Sequence, residues 1–148
     1  MAGDIPPEAD RLLRQFIEED HGYLSWLGTT VEEFAEGTVT LRVPFDEKLT
    51  NPTAPPTMHG GIAATLIDTA GGVALRPSLD DPIGGGVATI TLNVNYLRRA
   101  AGDVTATAEV VRAGDSVGVS QVTVLSETPD DGHQPVAVGQ GAYRLFQG

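Results

Sequence analysis

The chain has no cysteine, a single lysine and few aromatic residues, and each shortage narrows what it can do. Without cysteine there is no disulfide framework, no thiolate nucleophile and no sulfur ligand for a metal. Lys48 is the only lysine among nine basic residues, which face twenty acidic ones for a formal charge of −11. So negative a surface argues against a nucleic-acid partner, whose phosphates need Lys and Arg contacts. It also makes the protein repel itself at low salt. At about 1 M salt the Debye length shrinks to roughly 3 Å and that repulsion fades, so the composition fits a salt-loving source and equally a moderately acidic cytosolic protein. The three histidines, His21, His59 and His133, are scattered without ligand spacing, and no metal site is expected. Gly84-Gly85-Gly86 lacks the lysine of a nucleotide loop and leads into a strand-like run. The longest apolar stretch, residues 60–75, is interrupted by Asp68 and is too short to span a bilayer. The first ten residues show neither the basic region nor the apolar region of a secretory leader. A cytoplasmic location without a membrane partner is the resulting expectation.

What is present fits one domain over residues 1–148, long enough to bury a core. Ala9, Leu12, Leu13, Phe16 and Ile17 follow the spacing of one buried helix face, predicting an N-terminal helix over residues 1–20 that ends at His21-Gly22. Residues 23–34 read as a weak strand. They run into residues 37–43, where Val39, Leu41 and Val43 alternate with polar partners. A loop rich in proline and threonine follows, over 51–57. Residues 60–75 are small and apolar nearly all round, as in a buried helix. Four strand-like runs complete the chain, at 86–97, 104–112, 117–125 and 136–146. In the first, Ile90, Leu92, Val94 and Tyr96 alternate with Thr89, Thr91, Asn93 and Asn95. The last four runs read as an antiparallel meander with turns at Gly114-Asp115 and Asp131-Gly132. A long sheet wrapped round a single apolar helix lets the two bury each other.

Two features of the central helix carry chemistry. Met58-His59-Gly60-Gly61-Ile62 sits where a loop becomes the helix, so uncovered N–H groups and the positive end of the dipole face the same place. Such a turn suits a carbonyl oxygen that becomes an oxyanion; it equally suits tight packing of the helix end. Asp68 lies inside the apolar helix, where a carboxylate is costly unless it is hydrogen-bonded or paired. Desolvation makes such a group a stronger base, although a single exposed helix stripe would also hold an aspartate. Gly61 and Asp68 are seven residues apart, about 10 Å along the axis, so one carbonyl carbon cannot readily reach both. If both act, they come from different subunits, and the chemistry predicts a dimer.

Asn51, His59-Gly60-Gly61, Thr65-Leu66-Ile67-Asp68-Thr69 and Asn93-Val94-Asn95-Tyr96 together resemble the pattern of PaaI-like hotdog thioesterases, over roughly residue 39 to the C-terminus. The resemblance implies an α+β hotdog fold, an antiparallel sheet wrapped around one central helix, here with an added N-terminal helix. It implies hydrolysis of an acyl-CoA thioester to free acid and coenzyme A, without a cofactor, by a homo-oligomer whose active sites are shared between subunits, either a dimer or a dimer of dimers. By position, Asp68 matches the catalytic carboxylate, acting as general base or nucleophile. Gly60 matches the helix-end amide that polarises the thioester carbonyl from the other subunit, and Gly61 adjoins it at the substrate. His59 matches a positioning group beside that turn. Asn51 matches the asparagine that helps hold water or substrate, and Thr89 a hydroxyl near the carboxylate. Tyr96 and the hairpin carrying Gly114, Ser116 and Gly118 fall where coenzyme A is contacted. Arg98 and Arg99, at a strand end, are the best candidates for its phosphates, because arginine forks suit phosphate.

Three other readings compete. Gly114-Asp115-Ser116-Val117-Gly118 matches the serine nucleophile elbow, but that motif needs a strand, a turn and then a helix. Here the serine falls in a hairpin, and the chain is too short for the complete hydrolase fold. A hotdog domain that only binds acyl-CoA is a non-enzymatic alternative. A hotdog hydratase or dehydratase would pair a helix carboxylate with a histidine across the site, whereas His59 precedes the helix that bears Asp68.

Overall fold

The structure, a computed structural model, describes residues 4–148. Helix α1 (Pro7–Gln15) begins with a proline in its first turn, where a missing N–H costs nothing, and with Glu8 and Asp10 at the positive end of its dipole. Ala9, Leu13 and Ile17 are buried, as the apolar spacing requires, while Phe16 stays 44% exposed. The helix runs on through one π turn, Phe16–Asp20, and Met1–Gly3, the start of the expected helix, lie outside the described residues. The strand expected over 23–34 is corrected in its first part. The first helical segment does end at His21, whose side chain then accepts the Leu24 N–H at 3.2 Å and so caps a new helical turn, α2 (Gly22–Trp26).

The sheet then forms from β1 (Thr30–Ala35) and β2 (Thr38–Val43). A small separate ladder, β3 (Thr50–Asn51) with β4 (Thr57–Met58), leads into the central helix α3 (Gly60–Leu75). Four long strands follow: β5 (Gly86–Tyr96), β6 (Val104–Ala113), β7 (Val117–Thr128) and β8 (Gly132–Phe146). All pairings in the main sheet are antiparallel, in the order β1-β2-β6-β7-β8-β5. One face closes on α3. Leu66, Ile67 and Ala70 are fully buried against a floor that includes Val39, Leu41, Ala106, Ala108 and Val124. The alanines of β6 leave room for a helix that is itself made of small residues. This is the helix-in-sheet arrangement of the hotdog fold. No helix among the described residues is long and apolar enough to cross a membrane.

Two expectations about β5 are corrected. The last four strands are not one meander, because β5 pairs with β8 and forms the far edge. Gly139 of β8 makes that neighbour possible: a Cβ there would lie 2.4 Å from the Asn93 carbonyl oxygen. The simple alternation of β5 also fails. Its register against β8 shifts between Thr89 and Thr91, leaving Ile90 as an extra residue. A one-residue bulge reverses which face the later side chains occupy. Thr89 and Tyr96, on opposite faces in the plain alternation, therefore both reach α3.

Candidate active site

The N-terminus of α3 is built locally. His59 is its N-cap, and His59 Nδ1 accepts the Gly61 N–H at 2.8 Å. That bond occupies the Gly61 amide, whereas the Gly60 N–H has no acceptor among the described residues. The Gly60 carbonyl accepts the Tyr96 hydroxyl at 2.8 Å. A Cβ on Gly60 would sit 3.1 Å from the Tyr96 ring, so the glycine is what lets the ring approach. The chain enters this turn under restraint, with His59 N–H donating to Leu49 O and Met58 N–H to Ala100 O, both at 2.8 Å. Asn51 pairs with Thr57 across the small ladder, and Thr53 Oγ1 bridges the proline-rich loop to Thr57 Oγ1 at 3.1 Å. Asn51, His59, Gly60, Tyr96, Arg98 and Arg99 thus share one cavity of about 400 Å³. Arg98 donates to the Pro135 carbonyl at 2.8 Å, and both arginines are solvent-exposed.

Asp68, two turns further along α3, belongs to a different cavity of about 480 Å³, roofed by Leu13, Phe16 and Ile17 of the N-terminal helical segment. Thr89 Oγ1 donates to Asp68 Oδ1 at 2.6 Å, which orients the carboxylate and leaves Oδ2 for other work. Below it, the Tyr143 hydroxyl donates to the Asp68 main-chain carbonyl at 2.9 Å. Burial pushes the Tyr143 hydroxyl well above the ordinary tyrosine range, and the Asp68 charge pushes it further, so it remains a protonated donor. Its place is made by glycines: a Cβ on either Gly71 or Gly141 would lie 2.3 Å from the Tyr143 oxygen. Ser120 Oγ adds a buried bond to the Gly71 carbonyl at 2.8 Å. Two glycines in mid-helix each cost about 1 kcal/mol relative to alanine. Gly71-Gly72 is the signal in the sequence that could have located Tyr143, which the motif reading passed over. His21 and Arg76 line the same cavity and were passed over too.

The two groups do not meet within one chain, since Gly60 and Asp68 line separate cavities. Gly114, Ser116 and Gly118 line neither. Gly114 N–H donates to Val117 O, the Ser116 carbonyl accepts the Leu145 N–H, and Gly118 is buried where a Cβ would strike Leu75 at 2.6 Å. Strand leads to turn and then to strand here, so the helix that a serine nucleophile elbow requires is missing. Among the described residues, no group of three or more His, Asp or Glu could hold a metal ion.

Comparison with known proteins agrees with this fold. The family model of the thioesterase superfamily matches residues 56–133, from the turn before α3 into β8. A Halobacterium salinarum protein, provisionally named an esterase, is 48% identical over 150 residues, 99% of each chain. The 1,4-dihydroxy-2-naphthoyl-CoA hydrolase of Listeria monocytogenes is 28% identical over 109 residues, covering 72% of this chain and 85% of that one. Among solved structures, a thioesterase of Haemophilus influenzae superposes with a TM-score of 0.79 over 99% of this chain and 96% of its own. At 23% identity, that likeness is one of fold.

Proposed function

The chain belongs to the thioesterase superfamily, and from that premise we propose that it hydrolyses acyl-CoA thioesters to free acid and coenzyme A, in the manner of the PaaI-like branch. One observation carries the reading. Asp68 stands in a mixed cavity, largely apolar near the N-terminal helical segment, with one oxygen tied to Thr89 and the other unoccupied, while the Gly60 amide is left unbonded at the other end of the same helix segment.

The two half-sites join through a second copy. Thr89, which holds Asp68, and Tyr96, which holds Gly60, lie on one edge strand, with their midpoint between Leu92 and Asn93. Antiparallel pairing of β5 with its own copy about that midpoint sets Thr89 of one subunit opposite Tyr96 of the other. The Asp68 cavity then faces the partner's helix N-terminus. The exposed Ile90 and Leu92 on this long edge favour such a partner, because an uncovered apolar edge strand is a template for pairing.

In the joined site Asp68 Oδ2 takes a proton from water as the oxygen attacks the thioester carbon. The carbonyl oxygen, becoming an oxyanion, receives the Gly60 N–H and the positive end of the α3 dipole. When the tetrahedral centre collapses the C–S bond breaks, and the coenzyme A thiolate leaves and takes up a proton. Direct attack by the same oxygen, through an acyl-aspartyl anhydride that water then opens, uses the same two groups. His59 positions the turn, and Asn51 holds the water or the acyl carbonyl from its place in the Gly60 cavity. Arg98 and Arg99 at that cavity receive the phosphates of coenzyme A. The Listeria relative, named for hydrolysis of a CoA thioester, supports this leaving group.

Release of free thiol from aryl-CoA and straight-chain acyl-CoA substrates tests the reading, on wild type and on Asp68→Asn. The expected result is turnover by wild type and a loss of about a hundredfold to ten-thousandfold in kcat for the variant. Acyl-CoA binding with no cleavage by the wild type would instead make the protein a carrier or sensor.

A further inference from the structure

The cavity that holds Asp68 has a second polar end that hydrolysis does not use. Arg76 follows the last residue of α3 and lines this cavity together with Ile83. Its Nη1 donates to the carbonyls of Pro82 and Gly85, both at 3.0 Å, which fixes the plane of the guanidinium. Among the described residues its Nε and Nη2 have no acceptor, and no carboxylate pairs with it. Burial pulls the Arg76 pKa below the ordinary arginine value, the mark of a cation withdrawn from water without a counter-charge. Tying down the loop after α3 and complementing the helix dipole explain Nη1 and the position at the helix C-terminus. They leave the other donors unexplained.

His21 stands at the same cavity. Its Nδ1 accepts the Leu24 N–H, so the ring proton resides on Nε2 and is a further donor. Phe16 meets the imidazole edge-on, with ring centroids 5.5 Å apart, and limits where the ring can turn. Asp68 is the one carboxylate lining this cavity. It lies eight residues before Arg76, about 12 Å along the helix axis at roughly 1.5 Å per residue. That is the span of a short acyl group, with its thioester at Asp68 and its far end at the guanidinium.

Building on the thioesterase reading, we propose that the acyl group bears an anionic oxygen, such as a carboxylate, at the end remote from the thioester, and that Arg76 and His21 bind it inside the Asp68 cavity. The guanidinium offers an anion a charge-assisted fork, and the apolar walls between the two ends suit an aromatic ring or a short methylene chain. A neutral acyl end would leave the cation buried and unpaired.

The test compares kcat/KM for para-carboxyphenylacetyl-CoA and para-tolylacetyl-CoA, which differ only at the remote group. Wild type is expected to favour the carboxylated substrate by about tenfold to a hundredfold, the range of a hydrogen bond to a charged group. Arg76→Gln should abolish that ratio and Arg76→Lys should restore part of it; a ratio taken on one preparation is independent of how much of the variant folds. Binding of the corresponding uncleavable thioethers by calorimetry reads the same preference without turnover. Equal treatment of the two substrates, or a ratio unchanged in Arg76→Gln, overturns the proposal and leaves the thioesterase reading standing. A binding preference that depends on Arg76 with no cleavage of either thioester upholds the anion site and removes the hydrolytic reading.

Discussion

The two ends of the reactive stretch of α3 are made in opposite ways. At its N-terminus the free amide itself is a local product: His59 caps, Gly61 is capped, and the Gly60 N–H is left free at its own cavity. Two turns on, Asp68 depends on residues brought from across the chain. Thr89 comes from an edge strand, Tyr143 from β8, and the apolar roof from the N-terminal helical segment. A helix end has unmet donors wherever it occurs, so an amide site needs only a small residue and a cap. A carboxylate in apolar surroundings has to be held, and holding it takes contacts of long sequence separation. The chemistry proposed here needs both, one from each subunit.

The strongest way to break that comparison is to disable each end in a different chain. Gly60→Pro removes the free N–H at the first helical position, where proline is otherwise tolerated. His59 already has the extended backbone (φ −57°, ψ 136°) that a following proline demands. Removing the donor should cost about a hundredfold to a thousandfold in kcat, with exposed Tyr96 turning aside to admit the ring. Mixed with Asp68→Asn and allowed to exchange subunits, each hybrid dimer regains one whole site, and activity should rise well above either parent. If mixing restores nothing while hybrids demonstrably form, the two groups act within one chain and the shared site is wrong.

A smaller effect sharpens the comparison at the Asp68 end alone. Gly71→Ala would place a methyl group 2.3 Å from the Tyr143 hydroxyl, and overpacking of this kind costs about 1–3 kcal/mol. Thermal and urea unfolding should show that loss. Adding Tyr143→Phe removes the oxygen in question, so the double variant should be more stable than the sum of the single changes predicts. Additive losses would mean that Gly71 serves α3 for some reason other than seating the tyrosine.

The same contrast explains what the sequence disclosed. The central helix, its glycine turn and Asp68 were legible because composition and short spacing carry them. The partnership of Thr89 with Asp68 was expected only by resemblance, because the alternation of β5 turns Thr89 away from the side of Tyr96 until the Ile90 bulge is known. The edge position of β5 was hidden for a related reason. Sequence order suggests that neighbours in the chain pair, whereas Gly139 admits β5 beside β8. His21 ends a helix as read, and it also starts another, since its ring can accept an N–H that a plain stop signal would leave unmet. Arg76 carried no signal in the sequence, and only the folded cavity places it beside Asp68 with donors left unmatched.

Salt separates the two ends by depth. With a formal charge of −11, and few ion pairs among the described residues, the surface repels itself when counterions are scarce. Raising KCl from about 0.1 M to about 1 M shortens the screening length from roughly 10 Å to 3 Å, so the melting temperature should climb. The climb should be shallower after Asp130→Asn and Asp131→Asn, which thin the charge at the exposed β7–β8 turn. In the shared site proposed above, the partner subunit covers the half-buried Asp68 and the exposed Thr89, and covered groups are screened far less than exposed ones. Once the protein is folded and saturated with substrate, kcat, set at the Asp68–Thr89 pair, should therefore change little over the same range. KM should respond instead, because the approach of a polyanionic coenzyme to exposed Arg98 and Arg99 is felt through solvent. A kcat that tracks salt as steeply as KM would place the Asp68 end in water after all, and the contrast between a sheltered carboxylate and an open amide would not survive.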